Sequence, residues 1–298
     1  MAAAGEAEAA SDPSGGFGLA LDLAATKPPA LHDRDGYVDV GPAGGSYYYS
    51  RTAMTAAGTI TVGDRTLAVD GTAWFDHQWG DFISVGASGW DWFAINLDDG
   101  TDITVSLVRA TDGSDPLVYG TLVDAAGGTH HLGADDVGVE ATGEWTSSAT
   151  GITWPAGWSV TLPGADLVIR LEPSVPQQEL DTRATTGVVY WEGSQRVAAT
   201  RAGSPLGGEA YVELTGYAAG RQEFRVPRSS SPYAASRARR SARRHQASAQ
   251  PTASSENATP QAATGIPSAT EYSEAATVWQ PLDGPHAALS PNRRTSAR

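Results

Sequence analysis

Short runs rich in Val, Ile, Thr, Tyr and Trp, each ended by Gly, Asp or Pro, recur from Phe17 to Tyr217, and no long segment carries a 3.6-residue apolar period. That texture excludes a helical bundle and an alternating α/β fold. The runs are Phe17 to Leu23, Ser46 to Thr52, Gly58 to Val62, Trp90 to Leu97, Ile103 to Arg109, Leu117 to Val123, Trp158 to Leu162, Leu167 to Leu171, Gly187 to Trp191 and Ala210 to Tyr217. Hairpin turns are expected at Val62-Gly63-Asp64-Arg65, Asp98-Asp99-Gly100 and Ala125-Ala126-Gly127-Gly128, where residues that tolerate positive φ are concentrated. An all-β chain follows, an antiparallel barrel or sandwich.

An apolar content of 40% over 298 residues is enough for a real core. With no cysteine, disulfides, thiolate metal sites and cysteine nucleophiles are excluded. No stretch approaches about 18 consecutive apolar residues, so no transmembrane segment is expected. The acidic start MAAAGEAEAASD lacks the basic and apolar regions of a secretion signal, so the chain is expected to be soluble; its compartment stays open.

Charge divides the chain. Residues 221 to 298 hold eleven arginines and five acids, whereas residues 1 to 220 hold nine bases and twenty-nine acids. So acidic a body repels phosphate backbones, and nucleic acid is not an expected partner. Residues 1 to 15 read as a disordered lead. From Arg221 the β texture gives way to Arg, Ala, Ser and Pro, including RARRSARRH at Arg237 to His245, and this reads as a disordered basic tail. A shifted reading frame is a second account: one lysine, Lys27, against nineteen arginines suggests GC-rich coding, whose out-of-frame products have this composition. A genuine nucleic-acid or membrane tail is a third. Asn257-Ala258-Thr259 fits a glycosylation acceptor, a motif short enough to arise by chance.

The residues with chemistry cluster between Trp74 and Trp92. As a strand, Trp74 to Gly80 places Phe75, His77 and Trp79 on one face and Trp74, Asp76 and Gln78 on the other. In Trp90 to Leu97, Asp91 shares a face with Phe93, Ile95 and Leu97, opposite Trp90 and Trp92. A carboxyl on an apolar face loses hydration in its charged form, so its pKa rises and it can stay protonated to act as a general acid. If the connection from Asp81 to Gly89 lets the two strands pair, His77 and Asp91 meet within a wall of Trp79, Trp90 and Trp92. The bland alternative is that these tryptophans close a barrel base while Asp91 and His77 satisfy backbone amides or Arg51. Tyr190, Trp191, Glu192, Glu213 and Tyr217 read as core or loop-capping residues. Adjacent His130 and His131 face opposite sides of a strand and make a poor metal pair. The chain has no Gly-x-Ser-x-Gly elbow, no Walker loop and no Gly-x-Gly-x-x-Gly opening a helix.

Eight stretches taken in order resemble the carotenoid 1,2-hydratase and AttH-like family, a lipocalin-like double barrel. They are Phe17-Gly18-Leu19, Tyr47-Tyr48-Tyr49-Ser50-Arg51-Thr52, Gly71 to Gly80, Gly89 to Phe93, Glu144-Trp145-Thr146-Ser147, Gln178-Glu179-Leu180, Tyr190-Trp191-Glu192-Gly193 and Tyr211 to Tyr217. The resemblance implies two lipocalin-like antiparallel barrel lobes, placed at 16–112 and 113–220 between the lead (1–15) and the tail (221–298). Only sixteen residues precede Phe17 where such proteins carry a long β-rich stretch, so the first lobe is expected to be incomplete.

The reaction implied is cofactor-free addition of water to the terminal alkene of a polyene or terpenoid, without a metal. Asp91 would be the proton donor and His77 or Asp76 would guide water. Trp74, Trp79, Trp90, Trp92 and Tyr48 would hold the apolar substrate and stabilise the cation through their ring faces. Such hydratases pair the acid with a nearby tyrosine, whereas Gly89 or Trp90 stands in that neighbourhood here. Binding an apolar ligand without reaction, and pericyclic closure of a polyene, are the alternatives.

Overall fold

The computed structural model describes residues 5–11, 16–39, 44–81, 88–109, 117–219 and 273–279. Apart from single 3-10 turns such as Pro163–Ala165 and Tyr217–Ala219, its elements are all β-strands. The first group comprises β1 (Gly5–Ser11), β2 (Phe17–Ala25), β3 (Ala30–Leu31), β4 (Tyr37–Asp39), β5 (Gly45–Val62) and β6 (Arg65–Asp81). Next come β7 (Trp90–Leu97), β8 (Asp102–Val108), β9 (Leu117–Val123), β10 (Thr129–Leu132), β11 (Gly138–Ala141), β12 (Glu144–Thr146), β13 (Thr153–Pro155) and β14 (Trp158–Leu162). The remainder are β15 (Leu167–Pro173), β16 (Glu179–Asp181), β17 (Val189–Arg201), β18 (Ser204–Leu206), β19 (Gly208–Thr215) and β20 (Ser273–Trp279).

These strands form two large antiparallel sheets and one two-stranded sheet. The first runs β1-β2-β5-β6-β20, with β3 and β4 also paired to β5. The second runs β10-β9-β8-β7-β19-β17-β15-β14-β11, with β16 and β18 on β17, while β12 and β13 make a separate hairpin. The all-β, two-lobed architecture is as expected, and the three expected turns are present. Val62 pairs with Arg65 around Gly63, whose φ of 58° is open to glycine without strain. Asp124 closes the turn into β10, its Oδ1 accepting from the amides of Ala126 and Gly128, both at 2.8 Å.

The lobe boundary is corrected. β7 and β8, expected in the first lobe, belong to the second sheet, because β7 pairs with β8 and β19. The first sheet's consecutive strands therefore end at Asp81, not at residue 112, and the second begins at Trp90. The expected β6 to β7 pairing is absent too: β6 pairs with β5 and β20. The reason lies in burial. Phe93, Ile95 and Leu97 meet Val212, Leu214, Trp158 and Trp191 in the large core of the second lobe, far larger than the cluster of Leu21, Leu23, Met54, Ala56, Ala73 and Phe75 in the first. Within the expected lead, Gly5–Ser11 is a strand on β2. Within the expected tail, Ser273–Trp279 lies on β6, and Arg237 to His245 and Asn257 to Thr259 fall outside the described residues. No helix among the described residues is long and apolar enough to cross a membrane.

One irregularity orients the first sheet. In the β5/β6 pair, Arg51 faces Phe75 but Met54 faces Ala73, so β5 carries one extra residue at Thr52-Ala53. Before this bulge, Ser46, Tyr48 and Ser50 turn towards the second sheet; after it, Met54 and Ala56 turn into the first lobe's own core. The bulge also docks the sheets. The Ala53 carbonyl accepts from the Thr26 amide at 3.1 Å and the Thr52 carbonyl from Asn96 Nδ2 at 2.8 Å. Next to Thr26, Lys27 reaches across to Asp102 at 2.7 Å and to the Gly100 carbonyl at 2.6 Å, and Thr52 Oγ1 donates to the same carboxylate at 2.5 Å.

Candidate active site between the two sheets

Strand alternation decides what faces the space between the sheets. From the second sheet come Tyr190 and Glu192 of β17, Tyr211 and Glu213 of β19, Trp90 and Trp92 of β7, Ser106 of β8, and Tyr119 and Thr121 of β9. These stand side by side because Glu213 pairs with Glu192 on one side and Trp92 on the other, while Ser106 pairs with Trp92 and Tyr119. From the first sheet come Tyr48 and Ser50 of β5 and Trp74 and Asp76 of β6, with Ser50 directly opposite Asp76.

The seam between the sheets is buried at one end and partly exposed at the other. At the β8–β9 end, His32, Tyr48, Ser50, Tyr119 and Thr121 are buried. Towards β19 and β17, Asp76, Trp90, Trp92, Glu192, Tyr211 and Glu213 are only partly covered. A carboxyl surrounded by protein that keeps some accessible surface is placed to meet a ligand.

Asp76 is bonded by side chains from both β5 and β6. Ser50 Oγ donates to its Oδ1, Trp74 Nε1 donates to its Oδ2 at 3.0 Å, and the Tyr48 hydroxyl also bonds to it. Tyr48 in turn accepts from Trp92 Nε1 at 3.0 Å, which ties the sheets together at the site. Burial raises the Asp76 pKa to about 6 despite these donors. Behind Ser50 lies His32, with Nε2 2.7 Å from Ser50 Oγ and Nδ1 3.0 Å from Thr121 Oγ1. Burial lowers its pKa to about 3, so the ring is neutral. Glu213 accepts from Trp90 Nε1 at 2.8 Å; burial, then the neighbouring Glu192, push its pKa up to about 8, and the charge of Asp76 adds to the rise. Burial likewise raises Glu192, which accepts from the Tyr211 hydroxyl at 3.3 Å.

The expected dyad of Asp91 and His77 is not assembled. Asp91 is 2% exposed and points into the second lobe. Arg109 Nη1 donates to it at 2.6 Å, and the Tyr217 hydroxyl lies 3.0 and 2.9 Å from its two oxygens. Burial raises its pKa, as expected, but Arg109 and Tyr217 oppose the rise and occupy the carboxyl. The same Arg109 donates to the carbonyls of Ser88 and Thr215 and lies 4.6 Å from the Tyr217 ring centre, closing one end of the barrel. His77 is on the far face of β6, its Nδ1 3.3 Å from the Tyr49 hydroxyl. Trp79 shares that face, stacked on Tyr47 and 37% exposed. Of the expected residues, the structure brings together Asp76, Trp74, Trp90, Trp92 and Tyr48; Trp74 and Trp92 meet edge to face with ring centres 6.2 Å apart.

Sequence reasoning missed Glu213, His32 and Ser50. A signal existed for Glu213, because Ala210, Val212 and Leu214 take the apolar face and leave Tyr211 and Glu213 on the other. For Ser50 it was the period-two spacing from Tyr48. His32 had none, since its partner Thr121 lies 89 residues away.

Residues 2–217 match the family model described as AttH-like. Among solved structures, a protein designated AttH from Nitrosomonas europaea is 33% identical with a TM-score of 0.64, over 73% of this chain and 67% of that one. Kievitone hydratase from Nectria haematococca is 18% identical with a TM-score of 0.60, over 70% of this chain and 64% of that one, a likeness of fold. Dehydratase asqC from Emericella nidulans is 24% identical over 166 residues, or 53% of this chain. The chain spans only 46% of that relative's length.

Proposed function

The chain belongs to the AttH-like family, and from this we propose that it adds water to, or removes it from, an apolar small molecule held between its two sheets. The observation that carries the reading is a pair of carboxyls on facing sheets whose surroundings push their proton affinities apart, Asp76 to about 6 and Glu213 to about 8. Divergent pKa values at neighbouring acids are what acid–base chemistry near neutrality needs. The relatives named as a hydratase and a dehydratase support the same class of reaction.

In the hydration direction, protonated Glu213 gives its proton to one alkene carbon, the π electrons forming the new C–H bond and leaving a cation on the other carbon. The ring faces of Trp90 and Trp92 stabilise that cation by about 0.5–2 kcal/mol per contact. Water then forms the C–O bond, and ionised Asp76 takes the proton that water releases. Return of the proton from Asp76 to Glu213 runs towards the more basic carboxylate and resets the site. Dehydration is the same sequence reversed. The substrate class proposed from the resemblance, a polyene or terpenoid alkene, is kept; the proton donor moves from Asp91 to Glu213.

The test is incubation with neurosporene or lycopene, reading the gain of one water by mass spectrometry. Asp76→Asn and Glu213→Gln are each expected to lower kcat by about 100-fold or more, within the range for general acid–base groups, while fluorescence quenching still reports polyene binding. The wild-type rate should be bell-shaped in pH. It falls below about 6, where Asp76 becomes protonated and ceases to be a base, and above about 8, where Glu213 ionises and ceases to be an acid. A protein that binds the polyene and never alters it is a binder, and the catalytic reading fails.

A further inference from the structure

Thr121, His32 and Ser50, which lead inward from Asp76, have no part in the proton transfers above, yet all three side chains are buried. We propose that His32, held by Thr121, is a positioning residue that obliges the Ser50 hydroxyl to donate its single proton to Asp76. This rests on Asp76 being the base of the proposed reaction.

The argument is one of counting protons. A neutral imidazole has one N–H and one lone pair. If Nε2 carries the hydrogen, His32 donates to Ser50 Oγ across 2.7 Å, and the Ser50 proton has no competing acceptor and turns to Asp76. Nδ1 then bears the lone pair, and the Thr121 hydroxyl, 3.0 Å away, supplies the matching donor. In the other tautomer the Nε2 lone pair faces Ser50 and draws its proton away from the carboxylate. An ionised Asp76 can only accept, so only the first tautomer satisfies the whole chain, and the Thr121 hydroxyl, able to donate or accept, completes it as the donor to Nδ1. Because Thr121, His32 and Ser50 are buried, their hydrogen bonds polarise one another in series, and a donor lost at one end weakens the next.

Other groups around Asp76 do not substitute for this control. Trp74 bonds the second oxygen, and Tyr48 is shared with Trp92. Tyr119 of β9, its pKa raised to about 12 by burial, and Glu213 of β19 sense the charge of Asp76, while His131 of β10 lies behind His32 and Arg34 and Asp136 act on His131. Of these, only Ser50 is bonded to both His32 and Asp76.

The experiment follows the carboxyl carbon of Asp76 by NMR against pH in protein labelled at aspartate, with Asp76→Asn identifying the signal. This readout does not require turnover. Ser50→Ala is expected to raise the midpoint by about one pH unit, as loss of a hydrogen bond to a carboxylate does. Thr121→Val, nearly isosteric and out of contact with Asp76, is expected to raise it in the same direction by a smaller amount, and Thr121→Ser to leave it at the wild-type value. The acidic limb of the rate profile should move with the midpoint. A folded Thr121→Val protein that titrates like wild type overturns the proposal, and so does a Ser50→Ala midpoint that stays or falls. If Ser50→Ala does not fold, Thr121→Val decides. If the midpoints shift as expected and no variant, wild type included, hydrates a polyene, the relay stands and the assigned reaction fails.

Discussion

Two aspartates with raised pKa values have opposite meanings at the scale of single residues. Asp91 is enclosed with Arg109 at 2.6 Å and Tyr217 on both oxygens, so its carboxyl is a partner within the barrel. Asp76 has donors but, among the described residues, no cation that acts on its charge, and part of its surface is open. Asp91→Asn should therefore remove the carboxylate that faces the buried Arg109 charge, at a cost of about 3–5 kcal/mol. Asp76→Asn should change stability by less than about 1 kcal/mol near pH 7, since the amide oxygen can still accept from Ser50. Urea unfolding of both variants checks this, and equal losses would remove the distinction between a structural and a reactive carboxyl.

At the scale of elements, the bulge at Thr52-Ala53 makes a single long strand serve two surfaces. Were the bulge flattened with Ala53 kept, Ala53 would take the place opposite Ala73, and the side that presents Tyr48 and Ser50 to Asp76 would continue through Met54 and Ala56, which would then leave the first lobe's core. Deletion of Ala53 leaves Met54 opposite Ala73 but straightens β5 and disrupts the carbonyl contacts to Thr26 and Asn96, at an expected cost of about 1–3 kcal/mol. Ala53→Ser, at a half-buried position, should be nearly neutral. Denaturant midpoints of the two variants give the comparison, and a deletion as stable as wild type would show that the bulge does not help to dock the sheets.

For the molecule as a whole, the relation of the sheets depends on a buried ion pair. Lys27 and Asp102 have side chains 9% and 3% exposed, and the aspartate also accepts from Thr52 and Asn96. Lys27→Ala is expected to destabilise by about 3 kcal/mol, because it strands a buried carboxylate. The double variant Lys27→Met with Asp102→Leu should recover much of that loss. Thermal unfolding reads the stability, and Trp92 fluorescence reads the seam through its bond to Tyr48; a Lys27→Ala protein unchanged in both would mean that the sheets are held together elsewhere.

The strands, their alternating faces and their turns were legible in the chain alone, because β-branched and aromatic runs with a two-residue period report a local preference. Phe75, His77 and Trp79 do share one face and Trp74 and Asp76 the other. Burial of Asp91 on an apolar face was legible for the same reason. What the chain could not disclose is which sheet each strand joins, since Trp90–Leu97 carries no local mark distinguishing a partner in β6 from one in β19. That choice follows from where the largest apolar surface is buried, a property of the assembled core. It placed Asp91 against Arg109, separated it from His77, and left Asp76, Glu213, Trp90 and Trp92 facing one another across the seam. Contacts between residues 18, 89 and 126 positions apart, which join His32 to Ser50, His32 to Thr121 and Asp91 to Tyr217, arise only from that packing.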